Sequence, residues 1–79
     1  MGQTSLETSV NHVLADLETL SDQIRVKIHL ANMEAKKTWN EELEPRLFEA
    51  RVHATEATAA SKAAIEATVK AFRDFSAKL

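Results

Sequence analysis

Glu49, His53 and Glu56 stand at i, i+4 and i+7, a spacing that sets two carboxylates and an imidazole on one helix face. His29 would sit across from His53 if the chain folded back near Glu41. Carboxylates and imidazoles converging inside a helical bundle can hold iron or manganese. That chemistry ordinarily uses Glu-x-x-His on each of two helices plus two further glutamates, and this chain has no Glu-x-x-His. The expectation is therefore no metal and no cofactor, each histidine lying at a seam edge with its polar tip in water.

Covalent chemistry is less favoured still. Ser5, Ser9, Ser21, Ser61 and Ser76 have no histidine placed locally to activate them, and the chain's one glycine, Gly2, cannot build an oxyanion loop. With no cysteine there is no thiol nucleophile, no disulfide and no thiolate zinc site. Glu41, Glu42 and Glu44 form the densest carboxylate cluster, which suits the charge of a helix start. The chain is not expected to be an enzyme.

The basic residues Arg25, Lys27, Lys36 and Lys37, with Trp39 as a stacking side chain, are the best nucleic-acid candidate. They are interrupted by Glu34, and the chain sums to −2, with 10 Lys and Arg against 12 Asp and Glu. A solvated helix face is expected and no nucleic acid. No apolar run approaches the roughly 18 residues of a membrane span, and no basic n-region or apolar h-region marks a secretory signal. A helix lying on a membrane surface stays as an alternative, weakened because the middle of the second stripe described below is only Ala, Ser and Thr.

The elements that carry these side chains are all helical. One Gly and one Pro in 79 residues leave almost no turn material, which excludes an all-β fold and a Gly-cradled nucleotide site. Residues 1–79 read as a single helical domain. Thr4-Ser5-Leu6-Glu7 has the form of a capping box. From there Leu6, Val10, Val13, Leu17, Leu20 and Ile24 step by 4, 3, 4, 3 and 4, a seven-residue seam that wraps around a partner helix. The strict repeat breaks at Lys27 and resumes at Ile28, Ala31, Ala35 and Trp39, as a stutter does. Val26, Leu30 and Met33 form a second apolar strip on roughly the opposite side. They require either another interface or cover from the stems of Lys27 and Lys37.

The one break legible in the sequence is Thr38–Pro45, where Asn40 suits an N-cap and Pro45 is tolerated only near a helix start. The favoured architecture is a long antiparallel helical hairpin with arms near 4–39 and 42–78; the alternative is one long helix kinked near Pro45. Charge favours the hairpin. Residues 25–40 carry four bases and one acid, net +3, while 41–49 carry four acids and one base, net −3. The second arm's stripe runs through Leu43, Leu47, Ala50, Ala54, Ala57, Ser61, Ala64, Thr68, Phe72, Phe75 and Leu79, with Ile65 at its edge. The hairpin would set Phe72 and Phe75 near Leu6 and Val10.

Two helices bury little, so the expected solution is self-association into a coiled coil or four-helix bundle, a homodimer in the simplest case. Its seam would comprise Leu6, Val10, Val13, Leu17, Leu20, Ile24, Ile28, Ala50, Ala57, Ala64, Phe72 and Phe75. Helicity would then depend on concentration. The function expected is a non-catalytic self-assembly or protein-interaction module whose partner is itself or another helical protein. Reversible binding to a lipid or protein surface is the alternative.

The run from Ile24 to Leu47, with its His-Leu-Ala-x-Met-Glu-Ala-Lys core and its Trp followed by Leu-Glu-Pro, resembles small bacterial coiled-coil proteins of uncharacterised function, some associated with stress responses. That resemblance implies a bacterial, cytoplasmic, all-helical protein and transfers no catalytic or binding residue.

Overall fold

The heptad-spaced run from Leu6 to Ile24 lies within the first helix, α1 (Gly2–Ile28). This computed structural model describes residues 2–79, with side chains from Leu6 onward. Because α1 already runs through Thr4, the helix does not begin at the capping box expected there. Three more α-helices follow, α2 (Met33–Thr38), α3 (Glu44–Glu56) and α4 (Ala59–Lys78), with no strand among the described residues. A π-helical turn, Trp39–Leu43, joins α2 directly to α3, so residues 33–56 form one continuous rod. The chain is all-α, with antiparallel helix packing as expected, but it makes three rods where two arms were expected.

The reversals fall at residues 29–32 and 57–58, and the chain runs straight through the expected bend at Thr38–Pro45. Side-chain caps explain the first change of direction. Asn32 is extended (ψ 170°), and its side-chain oxygen accepts from the Ala35 amide at 2.8 Å. That hydrogen bond satisfies one of the amides a helix start leaves free. Thr58 does the same for α4, accepting from the Ser61 amide at 3.0 Å. Just before it, Ala57 takes the left-handed conformation (φ 50°) that ends a helix, a position glycine fills more easily. Neither reversal contains Gly or Pro, the residues that most often mark a break.

Pro45 acts differently. In a regular helix its ring would meet the Glu41 carbonyl and its missing N–H would leave the ladder short. The wider turn absorbs both problems: the Glu44 amide donates to the Trp39 carbonyl, one residue further back than an α-helix allows. The proline thus begins α3 without breaking the rod.

Two reversals make α1 antiparallel to the middle rod and parallel to α4. Arg25 reaches Glu44 and, seven residues back along α1, Glu18 reaches Arg51, seven residues on along α3. Lys27 at the end of α1 donates to the Ser76 hydroxyl near the end of α4 at 3.0 Å. Phe72 and Phe75 therefore lie toward the far end from Leu6, contrary to the hairpin arrangement. There they meet Trp39: the Trp39 and Phe72 rings pack edge-on at 5.4 Å and the Trp39 and Phe75 rings stack at 6.2 Å. The whole measures 47 × 17 × 15 Å.

The core is the seam, closed within one chain. Val10, Leu17, Ile24, Ala50 and Phe72 are buried, together with Trp39, Leu43, Leu47, Ile65 and Val69. Leu6, Val13, Leu20, Ile28 and Phe75 pack against them. Ala64 is half-buried, and Ala57 belongs to a reversal rather than to the seam. Two serines enter the core and are satisfied locally. Ser21 donates to the Leu17 carbonyl at 2.8 Å, and Ser61 shares a hydrogen bond with the Thr58 hydroxyl. The third rod supplies the cover that a second chain was expected to provide, so the seam itself no longer demands a partner.

Candidate interaction surface

With the seam closed, the large apolar side chains left in solvent stand out. Val26 is 70% exposed, Leu30 93% and Met33 85%, at the end of α1, in the turn and at the start of α2. The stems of Lys27 and Lys37 do not cover them. Phe48 and Val52 on α3 are also exposed, by 67% and 49%. Sequence reasoning singled out the first three and missed Phe48 and Val52. The signal was present, since two large apolar residues at i, i+4 fall outside the stripe of Leu43, Leu47, Ala50 and Ala54.

The middle rod orders these side chains. Its inward stripe is Ala35, Trp39, Leu43, Leu47, Ala50 and Ala54, at steps of 4, 4, 4, 3 and 4. Trp39, Leu43, Leu47 and Ala50 are buried, and Ala35 and Ala54 are half-buried. Two residues earlier throughout run Met33, Lys37, Glu41, Pro45, Phe48 and Val52, all exposed and at the same steps. An offset of two residues is roughly 200° around a helix, so this second stripe lies opposite the core. The run of three fours would drift around a regular helix; the π turn, with its extra residue, keeps both stripes straight.

Charge divides that outer face. Lys37 lies in its first half and Glu41 in its second, with Lys36, Glu42 and Glu49 on its flanks, and among the described residues none of the five forms an ion pair. Of the charge match between 25–40 and 41–49, only Arg25 with Glu44 is realised within the chain, at 3.2 Å. Arg25 also lies 5.9 Å from the Trp39 ring centroid, guanidinium toward the π face, and reaches Asp22 at 3.5 Å. Beside it opens a groove of about 570 Å³, lined by Arg25, Val26, Ile28, His29, Lys36, Trp39, Asn40 and Glu44. Trp39 itself is buried against the two phenylalanines and presents no free face for stacking on a base.

The ion pair between Arg51 and Glu18 holds the other half of the α1–α3 contact. Its two hydrogen bonds keep the Glu18 carboxyl below the ordinary carboxylate range and raise the Arg51 guanidinium above its usual value, each partner stabilising the other's charge.

The metal-site candidates are not brought together. His29 lies in the first reversal and His53 near the other end of the middle rod, roughly 30 Å away at ~1.5 Å per residue. His53 Nδ1 is 3.5 Å from Glu56 Oε1, and Glu49 is exposed outside any ion pair. Among the described residues no three His, Cys, Asp or Glu converge as a metal-binding group. No described helix is long and apolar enough to cross a membrane. No family, no curated protein and no solved structure matches this chain.

Proposed function

We propose that this chain is a non-catalytic helical interaction module that assembles with further copies of itself through its outer apolar face. The observation that carries this is the contrast between a closed core and the exposure of Val26, Leu30 and Met33. Exposed apolar side chains clustered beside charged ones mark a surface that meets another molecule. The bacterial, cytoplasmic setting and the link to stress implied by residues 24–47 belong to the same proposal.

Sedimentation equilibrium at tens to hundreds of micromolar tests it. The wild-type mass should exceed that of one chain and fall on dilution. The combined Val26→Ser, Leu30→Ser, Met33→Ser variant should stay helical and lose that assembly. A wild-type mass of one chain across the whole range would refute the reading.

A second reading is supported by Lys36 and Lys37, exposed beside Met33 and outside any ion pair among the described residues: docking onto an anionic membrane surface. Co-sedimentation with anionic vesicles, absent with neutral ones and abolished in the triple variant, would put that reading first.

A further inference from the structure

We propose that the chain also dimerises by exchanging α1: the reversal at residues 29–32 straightens into helix, and α1 of each copy packs on the middle rod and α4 of the other. This mode uses none of the outer apolar face and goes beyond the assembly proposed above. Exchange of an identical element remakes the closed core between copies, so its cost is confined to the hinge. The hinge here is already nearly helix. Residues 29–32 are His-Leu-Ala-Asn, without Gly or Pro, and none of them has a positive φ. The Leu30 and Ala31 amides still donate back to the Lys27 and Ile28 carbonyls, each at 3.1 Å, and the Lys36 amide donates to the Asn32 carbonyl. Helix-type bonding therefore breaks off between Ala31 and Asn32, where the Asn32 side chain caps the new start through the Ala35 amide.

The inward stripe passes through that break in phase. Leu20, Ile24, Ile28, Ala31, Ala35 and Trp39 step by 4, 4, 3, 4 and 4, the spacing of one unbroken helix, and all six are buried or half-buried. A second copy of the chain supplies the cover that a straightened α1 needs. Val10, Leu17 and Ile24 are wholly buried, so α1 leaves its own rod only for an equivalent surface, and the other copy's rod is that surface. Arg25 with Glu44, Glu18 with Arg51 and Lys27 with Ser76 then re-form between copies. The register of the two ion pairs, carried to the middle of the straight helices, sets Ala31 about level with Thr38 of the other copy and the two Ala35 side chains beside the twofold axis. Side chains this small let the helices pass closely.

Distances within one chain test the exchange. Chains are refolded together from denaturant at hundreds of micromolar, and dimer is separated from monomer by size exclusion. Spin labels on Ala15→Cys and Thr55→Cys, both exposed positions, are placed in one chain and diluted with unlabelled chain. In the closed bundle, 17 by 15 Å across, they lie within about 25 Å; along a straight helix of ~1.5 Å per residue they are about 60 Å apart. The dimer should give the long distance and the monomer the short one.

The hinge variants should move the equilibrium in opposite directions. Asn32→Ala removes the cap and favours helix; with two hinges per dimer, it should raise the association constant by about tenfold or more. Met33→Pro falls at the first position of α2, after the extended Asn32, where proline is accepted. Inside a straight helix the same proline breaks the ladder, so the exchanged dimer should be lost. Met33→Ser removes the same apolar side chain and should keep it. Circular dichroism checks that each variant stays helical. A dimer that gives only the short distance would overturn the exchange and leave the outer-face reading standing, as would dimers lost alike in Met33→Pro and Met33→Ser. A chain that stays monomeric throughout would overturn both.

Discussion

Arg51 and Glu18 meet edge to edge, with Nη2 2.7 Å from Oε1 and Nε 2.9 Å from Oε2. The fork matches the planar guanidinium to the carboxylate and ties α3 to α1 midway along the bundle. Both side chains are more than a third exposed, so screening holds the pair to under about 1 kcal/mol.

The pH dependence follows from the lowered carboxyl of Glu18. Its contribution is fully present above the unfolded carboxylate value of about 4.3 and is lost as pH falls through the lower folded value. Thermal unfolding should show this contribution fading below about pH 4, and Glu18→Gln should remove it. An unchanged acid limb in that variant would show that the fork contributes nothing.

Arg25 should not be replaceable by lysine. Lysine keeps the charge but loses the fork toward Glu44 and the flat contact with Trp39. Arg25→Lys should cost about 1 kcal/mol, measured by denaturant unfolding followed through Trp39, the only tryptophan. Trp39→Ala should cost about 3–5 kcal/mol, since it empties the space against Phe72 and Phe75.

At the second reversal, Ala57 bears the left-handed conformation with a Cβ in place. Ala57→Gly should stabilise the chain by about 0.5–1 kcal/mol, because relief of that contact outweighs the freer unfolded backbone. A lower melting temperature would contradict the conformation found here.

Core and surface should respond oppositely to polar substitution. Leu17→Asp places an unpaired carboxylate in the closed core and should cost several kcal/mol, enough to unfold the chain. Leu30→Ser should change stability by less than about 0.5 kcal/mol. Because three rods close the core within one chain, helicity should hold on dilution while mass falls; circular dichroism and sedimentation over the same dilution series check this.

The sequence made helix content and the inward stripes legible because apolar spacing reports which side chains must leave water. Leu6 to Ile24, Leu43 to Ala50 and the exposed strip at Val26, Leu30 and Met33 all came from spacing alone. The reversals were hidden because their signals are ordinary residues: Asn32 and Thr58 cap by single hydrogen bonds, and Ala57 turns without glycine. Pro45 misdirected the reading for a physical reason. A proline can be absorbed by one wider turn, and nothing in its identity distinguishes that from a break. The outer stripe was hidden for the same reason, since its alignment exists only once the π turn is in place.

That turn couples the inside of the rod to its outside. Removing one residue from Trp39–Leu43 would rotate one half of the rod by about 100° against the other. The core could re-form around either half, leaving Met33 and Lys37 on a different meridian from Phe48 and Val52. Variation at the surface can therefore proceed one side chain at a time, whereas a change of length in this segment rearranges the whole outer face at once. The five residues of the turn act as a phase lock, through which the buried packing of Trp39 and Leu43 dictates where the exposed residues point.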